Sequence, residues 1–453
     1  MTKLIAKYSP VRLDNSVDNL IPEIWANEAL MQLEANLVMA NLVHTDFKNE
    51  IASFGDTVNA DRPSAFVSKT KKDSDSVTVQ DAVSTKIPVK LDQHHHVSFM
   101  IKDGQESKAF RDLVTEFITP AVQALALGLD QSIFGEAYNF LGTRIGQYSV
   151  DPTKSSITRL RAAMSNNLAP LNGRNLVVSP NIGATLLDIA DFSSAEKVGD
   201  AGTAIRTGSI GQRLGFNIIE SQGAPSVPTG VNDVLTGTVN KVAGYPVGAT
   251  VIDVDTMTVP VAGSWLTIEG DMTPLKIASA TATELTLVSG LKYAITDGAV
   301  VTVYEPALIN LVAGYDSGLY TDVAINDLTL APAVGQMISQ GSYYYGAKTG
   351  TTATSLLLST TNKATMANDA VLGIGPAGDY GFAFNREAIA LVTRPLAVPR
   401  AGTGARSAVM NYNGLSMRVT ITYDGTKQGH LVTLDFLTGV KTLDTRLGAL
   451  LIA

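Results

Sequence analysis

The sequence predicts an α+β protein interrupted by an all-β insertion of two tandem modules. Three observations carry that expectation. Apolar residues recur at helical spacing between residues 106 and 140, and shorter helix and strand patterns alternate on either side. From about 231 to 378 helical periodicity vanishes, and Thr, Val, Gly and Ala take over with turn residues at short intervals. That stretch also repeats itself: Val242-Ala243-Gly244-Tyr245 returns as Val312-Ala313-Gly314-Tyr315.

Residues 1–20 are polar, with Lys3, Lys7 and Arg12 scattered and no periodicity, and read as an extended arm. Pro22 stands where a helix can start, because a proline in the first turn lacks only an N–H that had no partner. Ile24, Trp25, Ala29, Leu30, Leu33, Leu37 and Val38 follow at helical spacing, which predicts an amphipathic helix over 22–42. Residues 54–101 alternate, in Val77-Thr78-Val79 and Ile87-Pro88-Val89-Lys90-Leu91, around a charged stretch from Lys69 to Asp75. This predicts a two-stranded hairpin with arms of about 10 residues, reaching roughly 33 Å. A ribbon of that kind is marginal by itself in water and needs a neighbour to lie on.

The long helix over 106–140 carries the stripe Val122, Leu125, Ala126, Leu129 and Ile133, with Pro120 breaking or kinking it near its start. A helix near 155–168, a strand at Leu176-Val177-Val178, a short helix at 181–190 and a strand at 216–219 follow. Within the insertion, Thr281–Leu287 recurs as Thr352–Leu358 at an offset of 71 with five of seven residues identical. Lys292 matches Lys363 and Ala299-Val300 matches Ala370-Val371 at that same offset. After 379, Tyr380–Phe384 reads as a strand and Asn385–Leu391 as a short helix or turn. Ser416–Tyr423 and Gly429–Phe436 read as a hairpin across Asp424-Gly425. The division expected is 1–44, 45–104, 105–150, 151–230, module 1 at 231–306, module 2 at 307–378, and a return to the core at 379–453.

Composition narrows the function classes. Charged residues make up 17% of the chain against 45% hydrophobic, so much of the surface must be neutral and cheap to desolvate against other proteins. A net charge of -8 argues against a strong nucleic-acid binder, leaving weak, non-specific and salt-sensitive contact with DNA. With no cysteine there are no disulfides, thiolate nucleophiles or Cys-held zinc, which suits assembly in a reducing cytoplasm. No stretch approaches the roughly 18 apolar residues of a membrane span, and the start lacks an export signal, so neither a membrane nor secretion is expected.

Motifs that could carry chemistry each have a plainer reading. Gly373-Ile374-Gly375-Pro376-Ala377-Gly378 matches a dinucleotide-binding pattern, but a strand and not a helix is predicted after it, so no N–H groups converge. His94-His95-His96 lies on an expected strand, where at most His94 and His96 share a side; it reads as hairpin surface rather than a metal site. Trp265 in the first copy faces Met337 or Ile338 in the second and reads as core, while Tyr343-Tyr344-Tyr345 reads as packing before sugar stacking. No catalytic residue, cofactor or metal is expected.

Several strings in order resemble the tailed-bacteriophage major capsid (coat) protein family with the Hong Kong 97-like fold. They are Ile21-Pro22-Glu23-Ile24-Trp25, Ala35-Asn36-Leu37-Val38, Gly55-Asp56-Thr57-Val58, Phe117-Ile118-Thr119-Pro120-Ala121 and Leu176–Pro180. Gly208-Ser209-Ile210-Gly211 with Gly215-Phe216, Phe382–Ala388 and Gly439-Val440-Lys441 complete them. The branch it is most similar to is the short-tailed-phage coat proteins with an inserted β domain. The resemblance implies an N-arm, an extended hairpin loop crossing a neighbouring subunit, a spine helix, peripheral and axial domains, and an insertion projecting from the shell. It also implies, as partners, many copies of the chain itself, a separate scaffolding protein, a portal, a decoration protein and packaged DNA, and location in the virion. Some members of the fold cross-link a loop lysine to a neighbour's asparagine. Lys69, Lys71 and Lys72 beside Asp73 and Asp75 read more simply as a solvated tip.

Arm, hairpin and sparsely charged surface share one need, which copies of the chain would meet by head-to-tail contact closing into rings. Arg62, Lys69, Lys71, Lys72 and Asp73 are the candidate subunit-contact residues. An encapsulin-like compartment shell, a β-module adhesin or carbohydrate-binding protein, and a nucleotide enzyme are the alternatives weighed.

Overall fold

The structure, a computed structural model, describes the chain from residue 26 onward. Residues 28, 32, 34–36, 46–55, 63–67, 74–75, 78, 81–84, 103–116, 195–202, 229–232, 401–403 and 413–414 are excepted. The arm expected over 1–20 and residues 106–116 of the expected long helix lie outside the described residues.

The described residues between 26 and 33 are helical and bury Ala26, Ala29, Leu30 and Leu33. The expectation of a helix running to 42 fails at its end, since residues 38–42 form bends and turns. The cause is Asp130, whose carboxylate accepts the N–H of Val38 at 3.2 Å and of Met39 at 3.1 Å. A continuing helix would have given those donors to carbonyls one turn back.

Strands β1 (Thr57–Arg62) and β2 (Thr85–Lys90) pair antiparallel from Thr57 opposite Lys90 to Arg62 opposite Thr85. Six residues reach about 20 Å, so the paired part is shorter than the arms expected. Val77 and Val79 are exposed and lie outside any strand. The second arm does not run on to 101. Strand β3 (Gln93–Lys102) leaves the hairpin and joins the body of the protein. Gln93, His95 and Ile101 alternate onto one buried face with the half-buried Val97 and Phe99, and a sheet covered by a helix buries them better than a lone ribbon would.

Helix α1 (Thr119–Ala137) begins with Pro120 in its first turn and buries the whole predicted stripe. Strand β4 (Arg144–Gly146) precedes α2 (Lys154–Asn166), capped by the Thr153 hydroxyl, which accepts the Ser156 N–H. Next come β5 (Arg174–Val178), α3 (Pro180–Asp188), β6 (Gly211–Arg213), β7 (Phe216–Glu220) and β8 (Ser226–Val227).

Module 1 holds β9 (Asp233–Thr238), β10 (Val251–Asp253), β11 (Trp265–Ile268), β12 (Asp271–Ala280), β13 (Glu284–Leu287) and β14 (Val300–Tyr304). They form one sheet in the order β10-β13-β12-β11-β14-β9. Module 2 holds β15 (Ala307–Leu308), β16 (Asp322–Ala324), β17 (Met337–Gln340), β18 (Tyr343–Gly346), β19 (Ser355–Leu357) and β20 (Val371–Ile374). Here the sheets are β15-β20-β17-β18 and the pair β16-β19.

The sequence repeat is a structural repeat. Tyr245 Oη accepts the Asp253 N–H and Tyr315 Oη accepts the Ala324 N–H, each at 2.7 Å. The Gly248 N–H reaches the Leu291 carbonyl as the Gly318 N–H reaches that of Asn362. Both glycines hold positive φ, at 90° and 77°, where a side chain would be strained. Each module has a core of its own, one around Ile252, Leu266 and Leu285, the other around Val323, Ile338 and Leu356.

The chain then returns through β21 (Gly378–Asn385), β22 (Ile389–Arg394), β23 (Arg406–Tyr412), β24 (Leu415–Asp424), β25 (Gly429–Thr442) and β26 (Gly448–Ile452). The short helix or turn expected over 385–391 is a single turn at Arg386–Ala388, after which every residue of β22 is buried. Strands β24 and β25 pair from Arg418 opposite Asp435 to Asp424 opposite Gly429, as the turn signal predicts. One sheet has the order β4-β26-β21-β5-β7-β6, and α2 and α3 pack on it through Leu160, Met164 and Leu186. The other has the order β22-β25-β24-β23 with β3 also on β25, and α1 covers it through Val122, Leu129 and Ile133.

Candidate functional site

The side of α1 away from its apolar stripe is polar, and module 2 is seated on it. Gly135 makes this possible, because a Cβ there would stand 1.9 Å from Ser359 Oγ. That hydroxyl also accepts the Gly346 N–H at 2.9 Å. Next to the glycine, Glu136 Oε1 meets Lys363 Nζ at 2.5 Å. Its other oxygen accepts from Asn139 Nδ2 at 2.8 Å and Thr442 Oγ1 at 2.9 Å. Burial works against ionising Glu136, but the Lys363 charge and the Thr442 bond outweigh it and hold the carboxyl below its usual range. At the ends of the seam, Tyr138 Oη donates to the Gly335 carbonyl at 2.5 Å and Lys348 Nζ lies 3.2 Å from Ser132 Oγ.

Module 2 also grips the root of the hairpin. Lys90 Nζ donates to the Gly318 carbonyl at 2.8 Å, and the Thr361 hydroxyl donates to Asp92. Burial pushes the Asp92 carboxyl up, with the Thr361 bond and Lys90 opposing it. A cleft of about 340 Å³ runs along this junction, lined by Lys90, Asp92, Glu136, Tyr343 and Lys363. From the anchored root the hairpin leads to Lys69, Lys71, Lys72 and Asp73, all exposed. Arg62 is the last described residue of β1, opposite Thr85; its side chain lies outside the described residues. The structure therefore brings four of the five candidate contact residues to one exposed tip.

The other motifs are absorbed by packing. His94 and His96 do share a side, with ring centroids 5.7 Å apart, and His95 points the other way. They stand on β3, which pairs with β25 at the edge of a sheet of the body, and this corrects their placement on the hairpin arm. His94 Nε2 lies 3.0 Å from Asp435, which Arg418 Nε also reaches at 2.9 Å. His95 is buried and stacked on Phe436, and burial pushes its pKa well down. The glycine motif lies between β20 and β21, with a strand and no helix after it. Gly373 is needed for a different reason, since a Cβ would come within 2.5 Å of the Gly263 carbonyl of module 1. Trp265 is buried, and its Nε1 donates to Ser339 Oγ at 2.8 Å across the modules. Of the three tyrosines Tyr345 is buried and Tyr344 half-buried, so no stacking platform forms.

Sequence reasoning missed Lys90, Asp92, Glu136, Lys348 and Lys363 as partners of one seam. One signal was present: Gly135-Glu136 interrupts a helical stretch whose neighbours Ile133, Phe134 and Ala137 are apolar. Charge is also unevenly placed. Residues 231–378 hold twelve acidic and five basic residues, so -7 of the net -8 lies in the insertion and the remainder is close to neutral. Among the described residues no group of three or more His, Cys, Asp or Glu is placed to hold a metal ion. Within the seam the Glu136 carboxylate is neutralised by Lys363, and the bonds of Lys90 and Asp92 to module 2 fix the root of the hairpin.

No family model matches the chain, and no curated relative matches it. Solved structures with similarity along most of its length include one titled Mycobacterium phage Che8, 12% identical with a TM-score of 0.43, covering 92% of this chain and 90% of that one. The capsid structure of the Cyanophage P-SCSP1u is 12% identical with a TM-score of 0.40, covering 92% of each chain. The asymmetric unit of the bacteriophage PhiM1 mature capsid is 8% identical with a TM-score of 0.39, covering 92% and 86%.

Proposed function

We propose that this chain is the coat subunit of a tailed bacteriophage, a structural protein whose copies build an icosahedral shell around packaged DNA. Pentamers and hexamers form the shell with the help of a separate scaffolding protein, and a portal and a decoration protein are further partners. One observation carries this reading: a charged hairpin tip is exposed while its root is clamped to module 2, which is itself paired with the long helix. A ribbon held at one end and exposed at the other is built to lie on a neighbour. Lys69, Lys71, Lys72 and Asp73 then set the register of that contact, with Arg62 behind them.

Within this reading residues 1–44 are the arm and first helix, 45–104 the extended loop, 105–150 the spine, and 151–230 with 379–453 the axial and peripheral body. Residues 231–306 and 307–378 project outward, where their negative charge is kept from the packaged polyanion. Contact with DNA is weak and salt-sensitive and falls to the near-neutral remainder. No described helix is long and apolar enough to cross a membrane. Deleting residues 66–76 is expected to leave soluble protein that forms no closed shells in sedimentation. Particles of normal size from that deletion would contradict the reading.

A further inference from the structure

The two modules offer the same surface, and only one of them uses it within the chain. In module 2 the turn at Gly318 and the neighbouring Ser359 and Thr361 are covered, by Lys90 and Asp92 of the hairpin root and by Gly135 of α1. Matching hydrogen bonds identify the counterparts in module 1. The Leu287 N–H reaches the Thr250 carbonyl as the Leu358 N–H reaches that of Thr321. The Val288 N–H reaches the Lys276 carbonyl as the Ser359 N–H reaches that of Gly346. Gly248 therefore stands where Gly318 does, and Val288 where Ser359 does. Ser359 is 1% exposed, whereas Val288 is 64% exposed and Val247, beside Gly248, is 63% exposed.

This bare surface is apolar with an acidic rim. Val251 and Asp253 point outward from β10, and Glu284 lies opposite Asp253 on β13. Module 1 as a whole holds eight acidic residues against three basic ones. The hairpin tip has the complementary character: Lys69, Lys71 and Lys72 are exposed, and Val77 and Val79 are 75% and 84% exposed. Among the described residues neither surface is seated on the other. Two complementary exposed patches on one molecule suit contact between copies, head to tail.

We propose that the outward face of module 1 around Val247, Val251 and Val288 receives the hairpin tip of a second copy. The valines of tip and face bury one another, and the tip lysines reach Asp253, Glu284 and the Gly248 turn, as Lys90 reaches the Gly318 turn within the chain. The inference rests on the reading of the chain as a self-assembling subunit and adds the surface on which the tip lands.

Because the chain has no cysteine, directed disulfides test it without background. Full-length Lys71→Cys chains are mixed with Val288→Cys chains under assembly conditions in an oxidising buffer. Mixed covalent dimers are expected, at about tenfold or more the yield given by Val312→Cys, a valine in module 2 that is more exposed than Val288, at 95% against 64%. Shells that assemble without the mixed dimer, or that link as well through Val312→Cys, overturn the docking and leave the coat reading standing. Failure of the unsubstituted chain to assemble at all removes both. A second measurement uses charge: Glu284→Lys should slow shell formation by about tenfold, and adding Lys71→Glu should restore most of the rate. Slowing without restoration overturns the pairing of tip and face.

Discussion

Module 1 and module 2 turn on the same tyrosine and the same glycine, yet one shows to solvent what the other buries. Module 2 places Ser359, Thr361 and Lys363 against α1 and the hairpin root. Module 1 has Val288, Gly290 and Lys292 at those positions and meets the rest of the chain elsewhere, through Trp265 on Ser339 and Lys276 on the Gly341 carbonyl. The difference shows what duplication does for a β module. The fold is held by the repeated interior, Leu285 and Leu287 in one copy and Leu356 and Leu358 in the other, while the outward residues drift to suit whatever lies opposite. Polar residues have gathered where a buried carboxylate must be satisfied, and valines remain where no described residue covers them.

The largest effect should come from breaking the buried pair. Glu136→Ala strands Lys363 without its partner and should cost about 3–5 kcal/mol in denaturant unfolding. Replacing both residues by Met should recover most of that loss. At the matching place in module 1, Lys292→Met should stay within about 0.5 kcal/mol, because Lys292 is exposed. Equal losses in the two modules would erase the contrast between them.

Next is a dependence on pH. Burial raises the Asp130 carboxyl from 3.8 to about 7, against the N–H groups of Val38 and Met39 that favour its charged form. The folded state therefore holds a proton that the unfolded chain releases near 3.8. This contribution to stability is full below that pH and is lost as pH rises through about 7. Asp130→Asn should remove that fall between pH 4 and 8; an unchanged slope in the variant would sink the assignment.

The seam of module 2 should show the opposite slope. Burial lowers Lys348 from 10.5 to about 8. Its contribution is full above 10.5 and is lost as pH falls through about 8. Lys348→Met should flatten the rise in stability between pH 8 and 10. Smallest of all, Val242→Thr and Val312→Thr should each change stability by less than about 0.5 kcal/mol, as both side chains are bare.

Where a residue's role is set by its near neighbours, the sequence was readable. The stripe from Val122 to Ile133, the turn at Asp424-Gly425 and the repeat of Val-Ala-Gly-Tyr are local patterns, and each appears as expected. Strand β3 was misplaced because its alternation fits a ribbon as well as a sheet, and only pairing with β25, more than 300 residues away, decides between them. The helix after residue 22 was drawn too long for a similar reason, since its stop is Asp130, some 90 residues on. The first residues of β22, Ile389–Leu391, were read as part of a helix or turn because a short apolar run carries no period of its own. The seam stayed hidden because Glu136 and Lys363 are single charges more than 200 residues apart, and nothing local to either points to the other. The exposed tip was legible, being a run of like charges that no core can accept.

Cryo-electron microscopy of the full-length chain, co-expressed with the scaffolding protein proposed for it, tests the central claim most directly. Closed shells of pentamers and hexamers are predicted, with residues 62–85 of each copy lying on the next. A stable monomer under those conditions, with that segment folded back on its own body, would contradict it.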